Sequence, residues 1–250
     1  MSLHLHLPIA APPWTKLGSQ LESMCRKALH EFHLLEGADR VAIALSGGKD
    51  SLTLLFLLKA ILGRGFPKLD IVAIHVNGAF SCGAGVDTAF LGKICNSLEV
   101  KFCSVSSAPK EGKLECYSCS RERRKKIFEI AKQEGANTVA FGHHRDDSAQ
   151  TVMMNLLHKG EFAGNLPKVP MLNFGISIIR PLIFIPEQEI IAFSKMYGFA
   201  RTTCQCPVGQ TSLRKKTKNI IAELENDYPN AAANLASAAL IYGSKKALQK

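Results

Sequence analysis

The sequence predicts an α/β protein: a Rossmann-like, doubly wound parallel sheet of about five strands with a helical C-terminal extension. Two observations carry that prediction. Short runs rich in Val, Ile and Ala alternate with longer stretches of helical periodicity through the middle of the chain. The 250 residues are 46% hydrophobic, enough for one such domain with a sizeable core and too few for a second full domain.

The elements follow in order. A leading segment, residues 1–36, carries a helical face of Leu21, Met24, Cys25, Ala28, Leu29 and Phe32. Residues 37–200 form the central unit, with strands predicted at 41–45, 70–76, 100–105 and 137–142 and a fifth near 176–181. Helices are predicted between them at 52–62, 86–98, 120–134 and 146–157. The Gly-, Pro- and Asn-rich stretch 159–175 reads as a loop over the site or a hairpin. Further helices are predicted at 186–198, 212–227 and 229–246, the last two in a C-terminal extension covering residues 201–250. Ligands of doubly wound sheets sit at the carboxyl ends of the strands. The loop after the first strand and the cluster after the fourth therefore open onto one crevice.

Composition excludes several classes. No apolar run reaches the roughly 18 residues of a membrane span, and the N-terminus lacks the basic start and unbroken apolar run of a signal peptide. A cytoplasmic protein is expected. In a reducing compartment the eight cysteines are metal ligands, catalytic thiols or core residues rather than disulfides. A net charge of +10 favours a polyanionic partner where the charge is clustered.

The first strand runs into "LSGGKDS", residues 45–51. A common P-loop needs a glycine where Ile43 stands and a hydroxyl residue where Asp50 stands, so that reading fails. What remains is a compact turn in which Gly47 and Gly48 let backbone N–H groups face an anion at a helix N-terminus. Lys49 adds positive charge, and Ser46 and Ser51 add hydroxyl donors. Asp50 would repel a phosphate unless Mg²⁺ lay between them, which suggests a metal-bridged pyrophosphate. The bland alternative is a glycine turn capped by Ser46.

Two cysteine groups follow: Cys116 and Cys119 in a C-x-x-C pair ahead of a helix, then Cys204 and Cys206 in "CQC". Four thiolates would close a structural zinc site, three would leave an iron–sulfur cluster with one open iron, and a redox dithiol is a third reading. Cys25, Cys82, Cys95 and Cys103 stand singly and read as core or incidental residues. Arg121, Arg124 and Lys125 share one helix face beside the first pair, and "RKKTK" at 214–218 follows the second. Flanking one metal site, the two basic runs read as a footprint on a nucleic-acid backbone. After the fourth strand, Gly142, His143, His144, Asp146 and Asp147 precede a helix. One aspartate is a candidate for Mg²⁺ or ATP, and either histidine for steadying phosphate, against plain helix capping.

Taken together, "LSGGKDS", the C-x-x-C with its basic helix, "FGHHRDD", "IIRPL" and "CQCPVGQ" resemble the tRNA 2-thiocytidine synthetases, members of the PP-loop ATP pyrophosphatase superfamily, over most of the chain. The resemblance implies a PP-loop/HUP-type sheet. It implies ATP held by Ser46, Gly47, Gly48, Lys49, Asp50 and Ser51, with His75, Gly142 and His143 around the nucleotide and Mg²⁺ near Asp50. Lys49, Asp50 and Asp147 are then the catalytic residues, and Cys116, Cys119 and Cys206 hold a 4Fe-4S cluster, leaving Cys204 spare. The implied reaction adenylates the C2 oxygen of cytidine 32 in the tRNA anticodon loop and replaces it with sulfur delivered through the cluster. tRNA and a sulfur donor such as a cysteine desulfurase are the implied partners, with no membrane; a homodimer is left open. The chain departs from the pattern in having one residue, not two, between its late cysteines, and no acidic residue after the second strand, where the text is "HVNGAF". Uridine-thiolating relatives, a zinc-stabilised tRNA-binding protein and a PP-loop amide ligase are the alternatives.

Overall fold

The computed structural model describes residues 7–78, 87–107, 116–199 and 213–242. Helix α1 (Lys16–Glu31) precedes β1 (Arg40–Ala44), α2 (Lys49–Ile61), β2 (Asp70–Gly78), α3 (Thr88–Ser97) and β3 (Lys101–Ser107). Then come α4 (Cys116–Gln133), β4 (Thr138–Ala140), α5 (Arg145–Lys159), β5 (Lys168–Met171), a 3-10 turn and β6 (Ile176–Ile179). Helices α6 (Glu187–Met196), α7 (Leu213–Asp227) and α8 (Ala231–Tyr242) complete the described chain.

The strands form a six-stranded sheet in the order β3-β2-β1-β4-β6-β5, parallel except for β5 against β6. The sixth strand is the difference from expectation. Within 159–175, residues 168–171 pair with β6 as an edge hairpin, Met171 opposite Ile176. The signal was weak because β5 is four residues long and contains Pro170, a residue that sheets accept mainly at edges.

Alternation along the strands divides the core. Val41 and Ile43 of β1 meet α1, α2, α3 and α6 on one face, while Ala42 and Ala44 meet α4 through Ile127, Phe128 and Ala131 on the other. Helix α1 belongs to the first of these layers: Leu21, Cys25, Ala28 and Leu29 are buried in it. Helices α5, α7 and α8 share a smaller cluster around Ala149, Ile221, Ala232 and Ala236. The chain leaves β1 in opposite directions to reach β2 and β4, so the topological switch point lies between β1 and β4.

Candidate active site at the carboxyl edge of the sheet

The loop after β1 is built around its serines. Gly47 has φ of 83°, a left-handed value that suits glycine. The Ser46 and Ser51 hydroxyls lie 3.0 Å apart, Ser46 N–H donates to Ser51 Oγ at 3.1 Å, and Gly48 N–H donates to Ser46 Oγ at 3.3 Å. Helix α2 begins at Lys49 with no side chain capping Gly48. Its first-turn N–H groups, which have no acceptor within a helix, thus remain for an external anion.

Gly142 closes this loop from the β4 side. A Cβ there would lie 3.0 Å from the Asp50 carbonyl carbon and 3.1 Å from Ser51 N, so any side chain at this position would press on the loop backbone. His75 is buried, and its Nδ1–H donates to the Leu45 carbonyl at 2.8 Å. Burial, partly offset by that bond, lowers its pKa. His75 therefore acts on the loop through its backbone.

Lys49 Nζ lies 2.8 Å from Asp50 Oδ1 and 3.2 Å from Glu187 Oε1. Burial pulls the ammonium down, but the two carboxylates together outweigh it and hold Lys49 above its usual pKa. Glu187 also accepts from Lys218 Nζ at 2.6 Å. Burial raises this carboxyl, yet Lys218 and Lys49 leave it below its ordinary value. Glu187 stands at the start of α6, where its backbone N–H donates to Asp146 Oδ2 at 2.8 Å. Sequence reasoning missed it; the available signal was a carboxylate opening the helix after "RPLIFIP".

The aspartates and histidines of "HHRDD" divide their tasks. Asp146 caps α6, whereas Asp147 Oδ2 accepts from His144 N–H at 3.1 Å and its Oδ1 pairs with Arg214 at 2.7 Å. Burial raises the Asp147 carboxyl; His144, His143 and Arg214 overcome this and keep it ionised. His144 turns towards the loop, with Nε2 3.8 Å from Asp50 Oδ1 and 3.5 Å from Asp147 Oδ2, and its buried Nδ1 has no hydrogen-bond partner among the described residues. His143 turns the other way, stacking on Phe141 and accepting at Nδ1 from Arg180 Nε at 3.3 Å.

The cysteines and basic runs are also repositioned. Cys116 and Cys119 lie within the first turn of α4 rather than ahead of it. Cys82, Cys204 and Cys206 fall outside the described residues. Cys25 is buried, its thiol pushed up mainly by burial, and burial takes Cys95 to about 12; both are inert core residues. Of the run at 214–218, Arg214 and Lys218 reach inward to Asp147 and Glu187. Two of the four cations in that run therefore pair with crevice carboxylates, because the packing of α7 against α5 brings them there.

The donor set fits the groups the sequence implies. Asp50 and Asp147 flank the same His144 nitrogen and offer hard oxygen ligands. A Mg²⁺ that takes its other ligands from phosphates and water needs no more than one or two carboxylates. Two cysteines three residues apart in one helical turn suit soft-metal ligation, and they open the same edge of the sheet.

Fold and site thus define a nucleotide-binding protein of the PP-loop class. The family profile described as a PP-loop domain matches residues 17–202. A tRNA-cytidine(32) 2-sulfurtransferase of Geobacter metallireducens is 34% identical over 216 residues, 84% of each chain. That of Coxiella burnetii is 34% identical over 218 residues, again 84% of each. A solved structure, the U34-tRNA thiolase NcsA from Methanococcus maripaludis with its [4Fe-4S] cluster, superposes with TM-score 0.72 at 27% identity, covering 89% of this chain and 78% of that one. The chain belongs to the tRNA-cytidine(32) 2-sulfurtransferase family of PP-loop proteins.

Proposed function

We propose that the protein is an ATP-dependent tRNA thiolase that converts cytidine 32 of the anticodon loop to 2-thiocytidine. The observation that carries this reading is the meeting of two features on one edge of the sheet. A phosphate-binding helix start and a cysteine-headed basic helix open there together, in a chain 34% identical to a cytidine(32) sulfurtransferase.

The residues have the following parts. The loop at 46–51 receives the pyrophosphate on backbone N–H groups, with Lys49 exchanging its Asp50 partner for phosphate oxygen. Asp50, with Asp147 beside it, would hold Mg²⁺, which would supply positive charge to the phosphates; the C2 oxygen attacks the α-phosphorus and pyrophosphate leaves onto the loop and Lys49. Gly142 and His75 keep the loop in register. The pairs Arg214–Asp147 and Lys218–Glu187 bring α7 to the crevice, limiting the water that would hydrolyse the adenylated base. Cys116, Cys119 and Cys206 would hold a 4Fe-4S cluster, which when bound would supply the sulfur-delivery chemistry.

Nucleoside mass spectrometry of tRNA from cells with and without the gene tests the reading. Loss of 2-thiocytidine on deletion is expected. Loss of a thiolated uridine instead would establish the second reading, which the likeness to a U34-tRNA thiolase favours.

A further inference from the structure

Arg180 is unusual among the charged residues of the crevice. It follows β6 into the site, and its side chain is partly buried, with Nε donating to His143 Nδ1 and Nη1 to the Leu166 carbonyl. Both acceptors are neutral. No carboxylate among the described residues pairs with it, and Nη2 makes no hydrogen bond among them. Burial and then the charge of Arg124 pull its pKa down to about 10, with Asp147 opposing. That carboxylate pairs with Arg214 at 2.7 Å and accepts from the His144 N–H, and makes no salt bridge or hydrogen bond to Arg180. Arg180 therefore faces the charge of exposed Arg124, while the one carboxylate that favours it is paired with Arg214. A partly buried cation without a counter-ion is costly to the fold, and a fork of N–H donors left open there matches a phosphate oxygen pair.

We propose that Arg180 and Arg124 bind a phosphodiester of the tRNA beside the target nucleotide, at a phosphate site separate from the one the loop at 46–51 offers to ATP. The inference rests on the tRNA-thiolation reading. Position separates the two sites. Lys49, His144 and Glu187 gather around the loop, whereas His143, stacked on Phe141, directs Arg180 to the side covered by α4. Arg124 lies on α4 five residues beyond Cys119, about 7.5 Å of helix rise. An RNA phosphate held there sets its nucleotide within reach of the cysteine turn as well as the loop. Neutral His143 is the device that aims Arg180: burial dominates its pKa, Asp147 opposes, and the arginines reinforce burial, so the imidazole stays an acceptor.

The test measures binding of an unmodified tRNA transcript across a salt series, and of ATP by calorimetry, for wild type, Arg180→Gln, Arg180→Lys and Arg124→Gln. Arg180→Gln and Arg124→Gln should each weaken tRNA binding about tenfold and reduce the slope of log affinity against log salt by roughly 0.7–0.9. Arg180→Lys should keep the slope while losing part of the affinity, since it keeps the charge and loses the fork. ATP affinity should stay within about twofold of wild type in all three. If Arg180→Gln does not fold, exposed Arg124→Gln and charge-preserving Arg180→Lys decide. Unchanged tRNA affinity and slope in variants of a wild type that binds and thiolates tRNA overturns this inference alone. A fall in ATP affinity with tRNA binding intact assigns the phosphate to ATP and overturns it too. A wild type that binds no tRNA overturns the proposed function along with it.

Discussion

Helices α2 and α4 both begin at the carboxyl edge of one sheet, yet they are built on opposite plans. Helix α2 is apolar nearly all round, and Leu52, Leu54, Leu55, Phe56, Leu57 and Leu58 are all buried. Helix α4 buries Ile127, Phe128 and Ala131 in its later turns and carries Arg121, Arg123, Arg124 and Lys125 before them. Packing on every side fixes α2, so the backbone N–H groups at its start are held rigidly, as the proposed pyrophosphate site requires. Anchorage by one end leaves α4 to offer long cationic side chains, which adapt to a large polyanion. The contrast teaches that two helix starts on one sheet edge are set apart by what lies under them: one is fixed by packing along its length, the other carries long cationic side chains ahead of its buried turns.

The largest expected effects break the contrast outright. Cys116→Ala, Cys119→Ala and Cys206→Ala should each abolish thiolated product and the broad absorbance near about 400 nm of an anaerobically reconstituted iron–thiolate cluster, while ATP still binds. Cys204→Ala should retain both, and the reverse pattern for Cys204 and Cys206 would move the third ligand. On the α2 side, Lys49→Ala and Asp50→Ala should slow pyrophosphate release by about 10²–10³-fold, leaving tRNA affinity intact because the cations of α4 lie elsewhere. Wild-type pyrophosphate release in either variant would remove the loop from the chemistry.

A smaller effect sharpens the claim that α2 works by position. Gly142→Ala leaves every donor and charge in place but sets a methyl 3.0 Å from the Asp50 backbone. Displacing the loop by a fraction of an ångström should cost up to about 10²-fold in pyrophosphate release, read in a stopped-flow assay, with little change in tRNA affinity. The smallest concerns the latch between α6 and α7. Glu187→Gln loses its ion pairs to Lys49 and to half-exposed Lys218, worth about 1 kcal/mol at neutral pH. Because the folded pKa of Glu187 is depressed, that stability is present above the ordinary carboxylate pKa and disappears as pH falls through the folded value. Urea midpoints of the two proteins should differ at pH 7 and converge in acid.

The strand and helix rhythm, the anion loop after β1 and the cluster after β4 were legible in the chain because each depends on local chemistry: periodicity, a glycine turn, a helix start. β5 was not, since four residues containing Pro170 carry too little pattern to identify an edge strand. Nor was the start of α4 at Cys116, because a helix extended past its apolar face leaves no periodic signal.

Sequence by itself singled out the candidates for chemistry in this protein: the serines, glycines, Lys49 and Asp50 of the loop, the cysteines, and the two basic runs. Only the tertiary structure decided their pairings. It turned His144 to the loop and His143 to Arg180, brought Glu187 to Lys49, and drew Arg214 and Lys218 from a presumed RNA surface onto Asp147 and Glu187. The reason is that a charge's local context is written within a turn or two of chain. Its counter-ion is set by which distant helix the sheet and core bring alongside, here 67 residues away for Arg214 and Asp147.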